Sequence, residues 1–83
     1  MNRDWVVFHL TEARDELNKT LDEIRQTPDY EYGEFWVAMQ HLYHHANTAW
    51  NSRDASPVEV KDASYEDFNR WGQFPTDLPL MSV

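Results

Sequence analysis

FWVAMQHLYHHANTAW, residues 35–50, decides how this chain folds. Phe35, Met39, Leu42, Ala46 and Ala49 recur at helical spacing and form one seam. Trp36, Tyr43 and Trp50 recur every seven residues beside it. At roughly 100° per residue, the combined apolar arc is about 160° wide. One partner helix occupies a narrower stripe. The spacing therefore predicts a helix over 33–52 with at least two neighbours, one from upstream and one from the tail or from a second copy.

Upstream, residues 2–27 read as an amphipathic helix. Val6, Leu10, Ala13, Leu17, Thr20 and Ile24 alternate in steps of four and three, the seam spacing of helices packed lengthwise. Leu21 widens the stripe, and the remaining faces are charged, with Asp15 and Lys19 forming a favourable pair four apart. WVVFHL, residues 5–10, is rich in β-branched and aromatic residues, so a short strand competes there, with Thr11 capping a later helix. Helix is preferred because the seam runs unbroken back to Val6. Trp5 and Phe8 then lie off the stripe and need other cover.

TPDYEYG, residues 27–33, breaks the helical pattern. Pro28 cannot continue a helix without losing a hydrogen bond, and it pushes Thr27 out of helical angles. Gly33 marks a turn. So short a connection predicts that the second helix folds back antiparallel to the first.

Downstream, SPVE (56–59) carries a helix-start signature: Ser at the cap, Pro at the first helical position and Glu three beyond the cap. SYED (64–67) is a weaker one. Tyr65, Phe68 and Trp71 fall three apart and predict a short helix over 64–71, ended by Gly72. Residues 73–83 hold two prolines and read as an extended tail. Phe74, Leu78, Leu80 and Met81 are its apolar anchors, and they suit either the chain's own hairpin or a neighbour's.

Bulk properties exclude several functions. The chain has 83 residues, enough for one small domain. Aromatics make up 14% of it and supply large units of buried area, so the low mean hydropathy of -0.80 does not signal disorder. The net charge is -8, and seven scattered basic residues form no phosphate-binding patch; nucleic acid and anionic membranes are not expected partners. Without cysteine there is no disulfide, zinc–thiolate site or thiol nucleophile. The apolar run Trp5–Phe8 is too short for a signal or a membrane span, so a soluble cytoplasmic protein is expected.

The histidines are the residues that carry chemistry. His41 and His45 project about 40° apart on one side of the second helix. A pair four apart can present two imidazoles to one metal ion, and Zn or Ni suits such nitrogen ligands. His44 points elsewhere, towards the polar face. His9, Glu34 and acids of the tail are the further candidate ligands within one chain, and His9 is favoured because antiparallel packing brings the start of the first helix near the end of the second, beside His45. In a symmetric dimer, His41 and His45 of both chains meet at the axis. Neither H-E-x-x-H nor E-x-x-H is present. The competing reading is structural: histidines often border buried and wet helix faces. Two glycines leave no phosphate-cradling loop, and a single hairpin offers little concavity, so catalysis is not expected.

FWVAMQHLYHHANTAWNSRD, residues 35–54, resembles the first metal-bearing helix of the DinB/YfiT-like helix-bundle proteins. There a His on an amphipathic helix is followed by small or aromatic residues and by a Trp near the helix end. The preceding amphipathic helix and the Pro-containing linker are also similar, so the likeness covers about the first 55 residues. It implies that His41 or His45 matches the family's first metal ligand. The family's second hairpin, with its paired histidines, is absent from these 83 residues.

The expected fold is all-α: an antiparallel helical hairpin, a short third helix and an extended tail, paired in a homodimeric four-helix bundle. Trp36, Tyr43, Trp50, Trp5 and Phe8 are the expected interface. Three functions follow in order: a non-enzymatic structural or protein-interaction module, a metal-binding bundle using His41 and His45, and an acidic adaptor for a basic protein.

Overall fold

A computed structural model describes residues 1–81 and is all-helical. Four helices follow in chain order: α1 (Arg3–Gln26), α2 (Tyr32–Asn51), α3 (Pro57–Lys61) and α4 (Tyr65–Trp71). The WVVFHL stretch is helix. The Ser56 signature does nucleate its own helix, so there is one more than the three expected.

Each boundary has a local cause. The Asn2 side chain caps α1, accepting from the Trp5 backbone N–H at 3.2 Å, while its amide donates to the Ala55 carbonyl at 2.8 Å. One residue thus starts α1 and ties it to the loop after α2. Helix α1 ends at Gln26, with Thr27 extended ahead of Pro28. Capping boxes open both short helices, Ser56 with Glu59 and Ser64 with Asp67. Asp67 accepts from the Ser64 backbone and hydroxyl and pairs with Arg70, which holds its carboxyl below the usual carboxylate range.

Both glycines sit at helix ends, as expected. Gly33 lies in the first turn of α2. Gly72 follows α4 in a right-handed conformation, with φ of -77°. Its use is close approach: a Cβ there would meet His44 Nδ1 at 3.3 Å.

Helices α1 and α2 form the antiparallel hairpin. Three pairs meet in opposite chain order: Trp5 with Ser52, His9 with His45, and Glu16 with His41. The stripe between them keeps only part of the predicted seams, Ala13 and Thr20 on α1 and Ala49 on α2. On α1 it is His9, Ala13 and Thr20; on α2 it is Ala38, His45 and Ala49. Alanines at the contact let the backbones approach closely, so the larger Leu10, Leu17 and Ile24 are displaced to one flank and stay about half exposed.

Helix α4 packs against α2. The Asn51 amide donates to the carbonyls of Trp71 and Gln73, at 2.8 and 2.6 Å, and the Asn47 amide donates to that of Gly72 at 3.1 Å. Trp71, the largest buried apolar residue, meets Trp5 edge-to-face with ring centroids 6.4 Å apart.

Beyond Gly72 the tail runs along the outer edge of α2. Phe74 packs on Tyr43, and Asp77 accepts from Trp50 Nε1 at 2.9 Å. Leu80 and Met81 are exposed, and the last two residues of the expected tail lie outside the described residues.

Candidate functional site

Two features stand out: a histidine cluster at the open end of the hairpin and a bare apolar face along its length.

His9 is the centre of the cluster and is only 5% exposed. Its Nδ1 stands 3.0 Å from His45 Nδ1, and the ring centroids are 5.3 Å apart, so the two nitrogens lie between the rings. That is a hydrogen bond between imidazoles, in which one Nδ1–H donates and the other Nδ1 accepts. Trp5 closes the site edge-to-face at 4.3 Å, and Phe8 stacks on Trp5. His9 Nε2 is buried without a protein partner.

Both rings are held neutral. Burial pushes the His9 pKa down from 6.5 to about 4, helped by His45 and His44. Burial lowers the pKa of His45 as well, and His44 adds to that, while the carboxylates of Glu12 and Glu16 pull the other way.

The other two histidines are both exposed. His44 is on the wet side as expected, yet its ring lies 5.0 Å from that of His45 and 6.3 Å from that of His9, beside Gly72. Helix α4 draws it there, and a projection of α2 alone contains no α4. His41 sits one turn from the pair, its side chain 61% exposed, with Nδ1 3.7 Å from Glu16 Oε1. The structure therefore brings His9 to His45 and leaves His41 outside. Among the described residues, no three His, Asp or Glu side chains are grouped to hold a metal.

The aromatic band on α2 is divided. Tyr43 lies under Phe74, and Trp50 is covered by the Arg53 guanidinium, 3.9 Å from its ring, and tied to Asp77. Trp36 is 65% exposed, at the rim of an open groove of about 280 Å³ lined also by Met39, Tyr43 and Phe74.

The bare face lies elsewhere. Leu10, Leu17 and Ile24 sit roughly 70° round α1 from the His9–Ala13–Thr20 stripe. Phe35, Met39 and Ala46 sit roughly 70° in the same sense round α2 from Ala38, His45 and Ala49. In antiparallel helices, equal rotations in one sense bring both flanks to the same side of the hairpin. Helix α4 lies against the outer back of α2, where Asn47 and Asn51 project, and reaches the opposite side of the hairpin through Trp71 on Trp5, beside a Phe8 that is itself 51% exposed. Leu10 is 51% exposed, Leu17 and Ile24 45%, and Phe35 40%. Helical spacing predicted apolar stripes on both helices; which part of each met the partner helix was not legible from it.

No helix of the described residues is long and apolar enough to cross a membrane. The chain matches no protein-family model, no curated protein and no solved structure.

Proposed function

We propose that this chain is a small non-enzymatic interaction module that pairs with a second copy of itself, face to face, as a four-helix bundle. The observation that carries this reading is the one-sided hairpin: α4 lies against one side, and the other presents Leu10, Leu17, Leu21, Ile24 and Phe35 to solvent. Isolated exposed apolar residues need no explanation, but a contiguous row along two helices does. With Met39 and Ala46 these side chains expose roughly 500 Å² per protomer, so full cover would bury about 1,000 Å² for two, the threshold a biological interface should clear. Sedimentation velocity from low micromolar concentration upwards tests the reading. A dimer is expected, and Leu17→Asp is expected to give a helical monomer, because it sets a carboxylate in the apolar contact. A wild-type monomer throughout that range would end the proposal.

A second reading rests on the 3.0 Å approach of His9 to His45. A transition metal such as Zn or Ni would replace the shared proton, with rotated rings directing both nitrogens at the ion. Its test is elemental analysis of the purified protein together with a thermal melt. This reading requires Zn or Ni to raise Tm in the wild type and not in His45→Gln.

A further inference from the structure

Resting on the self-pairing just proposed, we infer that the two hairpins lie antiparallel, related by a twofold axis that runs across the helices at the level of Leu17 and brings α1 onto α1 and α2 onto α2.

The pattern of the bare face carries this. On α1, Leu10 and Ile24 stand seven residues before and after Leu17, two helical turns each way. On α2, the same side carries Phe35, Met39, Leu42 and Ala46, a set symmetric about the midpoint between Met39 and Leu42. The pairs Trp5–Ser52 and Glu16–His41 place Leu17 at the level of Gln40, and His9–His45 places it at the level of Val37, so Leu17 lies within about a helical turn of that midpoint. The two centres of symmetry therefore lie within about one turn of each other. A twofold axis there pairs Leu10, Leu17 and Ile24 on α1 and all four α2 residues with apolar mates, as an isologous interface requires, and leaves Leu21 at the edge of the contact over Ala13.

Side-chain size points the same way. The axis lays Leu17 on its own copy, Leu10 on Ile24, Met39 on Leu42, and Phe35 on Ala46. The largest side chain of the face then meets the smallest, so layers of even volume fill the interior. The competing arrangement has its axis along the helices and sets α1 over α2 with both turns at one end. It stacks Phe35 against Leu21 and Ile24 at the turn end and leaves Ala46 beside Leu10 at the other. The result is a wedge, overfilled at one end and underfilled at the other.

The chain contains no cysteine, so single substitutions report the arrangement cleanly. Leu17→Cys is oxidised at a concentration where sedimentation has shown a dimer, and covalent dimer is followed by non-reducing electrophoresis. Only residues at the axis approach their own copy closely enough for a disulfide. The expected result is cross-linking of Leu17→Cys at least tenfold faster than of Leu10→Cys or Ile24→Cys alone, together with cross-linking when those two variants are mixed. Circular dichroism checks that each variant keeps its helices. If Leu17→Cys stays reduced while a mixture of Leu17→Cys with Met39→Cys cross-links, the antiparallel arrangement is overturned and the dimer stands. A wild-type monomer overturns both.

Discussion

His9 Nδ1 and His45 Nδ1 stand 3.0 Å apart across the contact between α1 and α2, one donating its N–H to the other. The pair is a polar link inside the hairpin, near its open end, with Trp5 against it on the side of α4. It ties folding to protonation.

Stability is expected to fall in mild acid. The unfolded chain takes up the His9 proton near 6.5, whereas the folded chain takes it up only near 4. Between those values the unfolded state binds more protons, so this contribution is complete above about 6.5 and is lost as pH falls towards 4. His45 shifts in the same direction and adds to the effect. Thermal melts from neutral pH downwards should show Tm dropping by at least about 5 °C across that window. His9→Phe should flatten the slope; an unchanged slope would show that other groups set it.

Trp5 has two separable roles. Its Nε1 donates to Ser52 Oγ at 2.8 Å, and its ring packs on His9, Phe8 and Trp71. Trp5→Phe should cost about 1 kcal/mol, because the ring is largely kept and Ser52 still bonds the Thr48 carbonyl. Trp5→Ala should cost about 3 kcal/mol or more through the cavity it leaves. Urea denaturation of both variants separates the roles, and equal losses would refute the division.

Asn51 fastens α4. Its amide reaches the carbonyls of both Trp71 and Gln73. Asn51→Ala should cost about 1–2 kcal/mol and loosen α4 before the hairpin melts. Hydrogen exchange should then show early loss of protection in Tyr65–Trp71 with α1 unchanged. Uniform loss along the chain would contradict this.

Ala13 and Leu10 should respond in opposite ways. Ala13 is buried where α1 meets α2, so Ala13→Leu should overpack the hairpin by about 1–3 kcal/mol. Leu10 is half bare, so Leu10→Ala should cost the single hairpin little and weaken self-association instead. Monomer stability in dilute solution, compared with the dissociation constant, distinguishes the two. Equal effects of both changes on one quantity would count against the one-sided hairpin.

Local chemistry was legible where it depends on neighbours in the chain. Pro28 stops α1, Ser56 and Ser64 start α3 and α4, and the apolar steps through Leu10, Leu17 and Ile24 form a helix before any partner is known. The antiparallel turn allowed His9 to approach His45, and the tertiary structure brings the two together. The approach of Gly72 to His44 was not legible, because α4 lies far along the chain and is positioned by Asn47 and Asn51, whose amide bonds leave no periodic signal.

By itself, then, the amino-acid order determined that this protein is helical, that its first two helices fold back on each other, and within a residue or two where α1, α2 and α4 begin and stop. These are consequences of backbone hydrogen bonding and rotation per residue, which act over a few positions. Only the tertiary structure decided which flank of each helix is spent inside the hairpin. Small residues at Ala13, Ala38 and Ala49 bring the backbones together there, and close packing of that stripe turns Leu10, Leu17 and Phe35 outward.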